Sequence, residues 1–369
     1  GIDVIRLDAI PYIWKELGTD CRNLPQVHTL ARILRIVCEI VCPSVLLLGE
    51  VVMEPAKVAP YFGTPDKPEC HMLYNVTTMA TTWHTLATGD TSLLRRQMEA
   101  VCSLPKDFLF LNYLRCHDDI GWGLDYPWLN RNFGTDEVAH KRYLNDWFTG
   151  RWPGSVSRGE LYNDDPRLGD ARLCGTTASL CGLEAADFEG DPFKLERAVA
   201  CDLTLHAWML SQSGIPVIYS GDEVGQLNDY TYHQDPDRQE DSRYLHRGKF
   251  QWGLAELRSD PETYQSKLFQ SLRRLETLRA KEPCFDGDAD VQVEDSGDSR
   301  VLALCRRKDG RELICLFNFS NQFVRAGAGR DGRYTELMYE THYDDIRSIE
   351  LWPNGFAWLL RDRKNPEKE

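Results

Sequence analysis

The feature that most constrains this chain is a recurrence of short apolar runs, each ending in polar or charged residues. They occupy residues 1–8 (GIDVIRLD), 44–50 (SVLLLGE), 71–75 (HMLYN), 108–118 (FLFLNYLRCHD) and 215–222 (IPVIYSGD). Runs without polar alternation read as strands buried on both faces, as in a parallel sheet. Between them, apolar residues recur at helical spacing over 27–41, 78–88, 91–101 and 192–213. Alternating strand and helix demands crossover connections, so the expected class is α/β. Five units with their polar groups at the C-terminal strand ends fit part of a β/α barrel, whose C-terminal face carries the chemistry of barrel enzymes.

The texture changes near residue 286. VQVED, RVLALCRRKDG, RELICLFNFSN and NGFAWLLRD are short alternating runs separated by turn residues, which predicts an antiparallel β domain over 286–369 after a barrel portion over 1–285. The closing RDRKNPEKE reads as a solvated tail. Residues 121–175 form an insertion too long for a simple connection, rich in aromatics, Asp and Arg. Its rings suit either platforms for sugar faces or a private mini-core, and the sequence leaves both open.

A net charge of −14 disfavours nucleic acid and anionic membranes as partners. The longest apolar stretches are broken by Glu39, Pro43, Ser211 and Gly214, short of the roughly 18 residues a membrane span needs. Twelve cysteines lack a CxxC pair, and most lie in apolar runs (Cys38, Cys42, Cys201, Cys305, Cys315). They read as buried free thiols, which favours a cytoplasmic location. His and Cys show no zinc-ligand spacing, so neither metal nor other cofactor is expected.

Three carboxylates end the predicted strands: Asp8 in IRLDA, Glu50 in LLLGEV and Asp118 in LRCHDDIGW. Singly, each is more often a solvated strand end or a helix cap. Three on one barrel face form the disposition of an active site. Arg6 lies two residues before Asp8, so both point to one side of a strand, and an inward arginine requires a partner. Such carboxylates suit cleavage or transfer at a glycosidic bond. One attacks the anomeric carbon, the second protonates the leaving oxygen, and the third supports the cationic transition state; retention needs the first two ~5–5.5 Å apart.

GIDVIRLDA, LLLGEVV and RCHDDIGW together resemble the second, third and fourth signature regions of the α-amylase family, the retaining α-glucosidases and transglucosidases. The resemblance implies a (β/α)8 TIM barrel of which this chain supplies about strands 4–8. It implies Asp8 as nucleophile, Glu50 as general acid/base and Asp118 as transition-state stabiliser, with Arg6 and His117 lining the glucosyl subsite. LDAIPYIWKELGTDCRNLPQVHTL, NYLRCHDDIGWGL, GIPVIYSGDEVGQLND and DSRYLHRGKFQW are similar to the amylosucrase and sucrose hydrolase branch, which moves glucose from sucrose to an α-1,4-glucan or to water. The likeness runs from Gly1 to about Asp286 and more loosely beyond.

That branch implies that Arg243 closes the glucosyl pocket against an aspartate, and that Asp119 and Arg172 lie toward the leaving group and acceptor. Lys141 stands where the branch has a second acceptor-channel arginine, a point charge replacing a planar fork, so sucrose cleavage is the firmer expectation and polymer growth the weaker. The branch carries three further βα units ahead of the first strand, with the aspartate that faces Arg243. The expectation is therefore a retaining transglucosidase with sucrose as donor and an α-glucan or oligosaccharide as acceptor, inactive by itself without an N-terminal barrel half. Sucrose hydrolysis, trehalose-type isomerisation and α-glucosidase action are variants with the same carboxylates. A non-catalytic carbohydrate-binding fragment is the alternative of another class.

Overall fold

Five parallel strands form the sheet that the apolar runs predict, in a computed structural model that describes residues 1–53, 55–165 and 170–362. They are β1 (Val4–Leu7), β2 (Leu46–Gly49), β3 (Met72–Tyr74), β4 (Leu109–Tyr113) and β5 (Ile215–Val217), paired in chain order. Arg6 lies opposite Leu48, Gly49 opposite Leu73, and Leu111 opposite both Tyr74 and Ile215. All C-terminal ends therefore share one rim. Gly49 is required there: a Cβ would lie 2.8 Å from both Cys70 Sγ and Leu73 Cδ2.

Helices α1 (Pro25–Val41), α2 (Val76–Thr88) and α3 (Ser92–Cys102) fill the first connections. The insertion holds α4 (Tyr126–Phe133) and α5 (Glu137–Phe148), while α6 (Pro192–Leu210) and α7 (Tyr264–Lys281) flank β5 in sequence. Asp125, Asp136, Asp191 and Thr263 accept from free amides at the starts of α4 to α7 and so set where those helices begin.

The strands are shorter than the apolar runs. β4 ends at Tyr113, five residues before Asp118, and β5 ends at Val217 rather than near Asp222. The reason is a buried charge. Arg115, 3% exposed, turns out of the strand line to meet Asp222, with Nε and Nη2 at 2.9 and 2.7 Å from Oδ1 and its guanidinium 4.2 Å over the Tyr219 ring. An unpaired arginine there would cost several kcal/mol, so the backbone yields. β1, expected to be buried, is partly exposed because among the described residues it pairs with β2 alone.

The insertion is not a loop. Besides α4 and α5 it contains an antiparallel hairpin, Glu160–Tyr162 with Arg172–Cys174. Its aromatics form no private core: Trp122, Tyr126 and Phe148 join Trp83 and Leu173 in the principal core, while Phe133 and Trp152 remain exposed.

Apart from a two-stranded pair, Val324–Ala326 with Ile349–Leu351, the described C-terminal strands are β6 (Asp290–Glu294), β7 (Val301–Lys308), β8 (Arg311–Asn318), β9 (Asp331–Glu336), β10 (His342–Asp345) and β11 (Phe356–Arg361). These six form an antiparallel sheet ordered β6-β7-β8-β11-β9-β10. Alternation puts Leu302, Leu304, Leu313 and Cys315 on a face that packs with Trp208 of α6, and Ala303, Ile314 and Leu316 on a second core. The tail beyond Asp362 lies outside the described residues. Among the described residues no helix is long and apolar enough to cross a membrane. All twelve cysteines are free thiols.

α6 also buries an ion pair, His206 Nδ1 at 2.8 Å from Asp202 Oδ1. Burial opposes charge on the imidazole, but the adjacent carboxylate prevails and raises His206 to about 8. Burial raises Asp202 as well, against the pull of the His206 charge. An unfolded imidazole releases its proton near ~6.5, so this stabilisation is full below that pH and fades as pH rises through about 8. The wild-type Tm should fall across that window more steeply than that of His206→Gln in scanning calorimetry; parallel curves would refute the pairing.

Candidate active site

The rim side chains converge on one guanidinium. Arg6 places Nη1 2.6 Å from Asp8 Oδ1 and Nη2 2.9 Å from Glu50 Oε1, with Asp118 Oδ2 at 3.9 Å. The Tyr74 ring lies 5.6 Å from the same guanidinium. Partial burial works against the charge of Arg6, but the carboxylates outweigh it and its pKa is raised. The Asp8 side chain is 77% exposed and that of Glu50 only 19%, so one is open to attack a ligand and the other is sheltered.

The backbone after Asp8 helps to fix Glu50. Ala9 is left-handed (φ 43°, ψ 38°), a conformation that costs a non-glycine residue on the order of 1–3 kcal/mol. Its N–H donates to Glu50 Oε2 at 2.9 Å. Both oxygens of Glu50 are thus engaged, one by Arg6 and one by the turn that follows Asp8.

Asp118 sits in a second set of contacts. Its Oδ2 is 3.1 Å from His117 Nε2, and its Oδ1 is 3.3 Å from Arg247 Nη2 and 3.5 Å from Arg243 Nη1. Arg247 also donates through Nε to the His117 carbonyl. The resemblance sets Arg243 against an aspartate from ahead of the chain; here its fork is filled by Asp241, with Nε and Nη2 each 2.8 Å from a carboxylate oxygen. Asp241 caps the short turn Ser242–His246 by accepting from the Arg243 amide, which brings the two side chains together. The hydrogen bond from Arg243 holds the Asp241 carboxyl below its usual range.

The insertion returns to this rim. An Ile120–Leu173 bridge ties its hairpin to the residue after Asp119. Tyr162 then lies 4.6 Å beneath the Arg243 guanidinium, and Arg172 Nη1 comes 3.3 Å from Asp119 Oδ2. Lys141 pairs instead with Glu137 and Asp170 of the insertion itself.

The structure therefore joins Arg6, Asp8, Glu50, His117, Asp118 and Arg243 in one contact network, with Asp119 and Arg172 as a pair beside it. Sequence reasoning missed Arg247, Asp241 and Tyr162, and the buried Arg115–Asp222 pair. A signal for Arg247 was present: it stands four residues after Arg243 in DSRYLHR, about one turn on. Cys116, His117 and Asp118 offer ligand atoms within 4.8 Å of one another, yet Arg6, Arg243 and Arg247 all approach that same carboxylate. A cation would face three guanidiniums, so the chemistry is that of carboxylates and arginines.

No family model matches the chain. A glucosylglycerate phosphorylase from Spirochaeta thermophila is 28% identical over 327 residues, covering 87% of this chain and 51% of the relative. A trehalose synthase from Thermus thermophilus is 26% identical over 386 residues, covering 97% of this chain and 36% of the relative. The crystal structure of sucrose 6F-phosphate phosphorylase from Thermoanaerobacter thermosaccharolyticum matches with a TM-score of 0.63 at 18% identity, over 94% of this chain and 61% of that one.

These relatives are in keeping with the resemblance of the three signature regions to the α-amylase family. The structural match shows the fold, that of the family's barrel enzymes with an antiparallel β domain. The chain spans about half the length of the glucosylglycerate phosphorylases it matches.

Arg6→Met would leave carboxylates facing one another without their shared cation. We expect a stability loss of about 1–3 kcal/mol near pH 7 in urea denaturation. The loss should shrink in about 1 M salt, which screens attraction between partly exposed charges. A loss of the same size at low and high salt would show that Arg6 does not hold them.

Proposed function

We propose that this chain carries the catalytic carboxylates of a retaining α-glucosyl transferase. The observation that supports it is the shared guanidinium: Asp8 and Glu50, at the ends of neighbouring strands, sit on two nitrogens of Arg6. In this reading Asp8 attacks the anomeric carbon while Glu50 protonates the departing oxygen, leaving a glucosyl ester on Asp8. Glu50 then takes a proton from the acceptor hydroxyl, whose oxygen attacks the anomeric carbon and breaks its bond to the Asp8 carboxylate, freeing Asp8. Asp118 supports the cationic transition state, Arg6 and His117 flank the ring, and Arg243 and Arg247 close the pocket behind Asp118.

Sucrose is the proposed donor and an α-1,4-glucan the proposed acceptor, on the likeness of HDDIGW and DSRYLHR to the amylosucrase branch. A second reading draws on Arg172, half exposed beside Asp119. The solvent-facing part of that guanidinium suits an anionic leaving group or acceptor, such as the glycerate and phosphate implied by the name of the phosphorylase relatives. Retention of all three carboxylates argues against a purely binding scaffold.

We further infer that more βα units complete the sheet. The outer edges of β1 and β5 pair with nothing among the described residues, and Ile36, Ile40 and Val41 of α1 are 52–76% exposed, as is Trp252 at 76%. Uncovered edges and apolar faces of this kind need a partner surface. The working division is a partial barrel over 1–285 and a β domain over 286–369.

The test supplies the full gene product that carries this chain with sucrose, or with glucosylglycerate and phosphate. Fructose with iodine-staining polymer supports the amylosucrase reading, and fructose with equal glucose supports the hydrolase. Glucose 1-phosphate supports phosphorolysis. Asp8→Asn and Glu50→Gln should each lower kcat at least about a thousandfold with the unfolding transition unchanged. Full activity in either variant would sink the assignment, and residues 1–369 alone should show no turnover.

A further inference from the structure

A cavity of about 620 Å³ opens where the end of α2, the insertion, the first half of α6 and loops of the C-terminal sheet meet. None of its lining residues belongs to the network around Arg6. Its volume is within the ~300–1,000 Å³ of small-molecule sites, which favour such junctions between structural units. The site is therefore large enough, and separate.

Its lining has two characters. Leu86, Leu180, Ala186, Phe319 and the half-buried Trp147 supply its apolar lining. The C-terminal loops contribute Ser299, Asn321, Gln322 and Asn354 as polar groups. The cations of the lining are already engaged. Lys194 pairs with Glu189, and Arg197 donates to the Asn321 carbonyl at 3.1 Å. Arg300 is held by Asp298 at 2.9 and 2.6 Å and by Gln322 Oε1 at 2.7 Å.

Lys194, Arg197 and Arg300 are balanced by Asp90 and Glu189 of the lining and by Asp298 on Arg300, so the cavity carries no net charge and favours a neutral ligand. A ligand with an apolar face and a polar edge would set its face against these apolar residues, Trp147 among them, while hydroxyls meet the carboxamides. A pyranose ring has that character. We propose that this cavity is a second carbohydrate site, remote from the catalytic network, that holds two or three units of a neutral α-glucan oligosaccharide. The choice of glucosyl units rests on the transfer reading above; the cavity and its preference for a neutral sugar do not.

The test is titration calorimetry of maltotriose into the full gene product, with inorganic phosphate as a separate titrant. The expected result is a saturable maltotriose component that Ala186→Trp removes by filling the cavity. The double variant Asn321→Ala/Gln322→Ala, at exposed positions, should weaken it about tenfold, the loss of one or two hydrogen bonds. Cleavage of the donor should stay at the wild-type rate in the double variant. No saturable maltotriose binding overturns the proposal, as does an isotherm unchanged in both variants or phosphate binding that maltotriose competes away. A cavity component that persists where no glucosyl transfer is measured supports the second site and contradicts only the reading of Asp8.

Discussion

One arginine holds the rim together. Arg6 stands on an exposed edge strand, yet its two terminal nitrogens reach carboxylates from the ends of β1 and β2, and a third lies within 4 Å after β4. Without a cation between them these carboxylates would repel one another, and a half-buried arginine without them would lack partners. The arrangement is therefore mutual. It also fixes geometry, since Glu50 is held through both oxygens and cannot turn away from Asp8. Groups fixed before a ligand arrives need no reorganisation when charge develops, which is the electrostatic basis of catalysis at such sites.

The second constraint lies beneath the first. Arg115 and Asp222 form a buried pair that joins the loop after β4 to the loop after β5, and the Thr177 hydroxyl donates to the same carboxylate at 2.9 Å. Arg115 also donates to the His246 carbonyl at 3.2 Å, which fastens the turn carrying Arg243 and Arg247. The groups around Asp118 thus come from segments more than a hundred residues apart, held by one desolvated charge pair. Removing one partner of such a pair costs about 3–5 kcal/mol, so these loops are tied far more firmly than surface connections.

Much of this was readable in the sequence because apolar runs and their polar ends are local features. The five strands, helices α1 to α3 and α6, and the convergence of Arg6, Asp8, Glu50 and Asp118 all follow from short segments read one at a time. What was not readable depends on pairing across long separations. The strand ends at Tyr113 and Val217 follow from the Arg115–Asp222 pair, which no local pattern shows. Asp241 as the partner of Arg243 is the local exception, two residues away in a single capped turn. The helices of the insertion were hidden because their aromatics pack into the principal core, so their apolar residues do not mark an independent unit. The cavity beside Trp147 assembles from Leu86, Arg197, Ser299 and Asn354, residues that only the fold brings together.

The central claim is that Asp8 is the nucleophile and Glu50 its acid/base partner. α-Glucosyl fluoride tests both at once, because fluoride leaves without a proton while the second step still needs the base. In the full gene product bearing Glu50→Gln, a glucosyl ester should form and persist. Peptide mass spectrometry should then find one added glucosyl residue on the segment containing Asp8, and none when Asp8→Asn is introduced as well. A label on Asp118 or Asp119, or no label while the fluoride is consumed, would contradict the account.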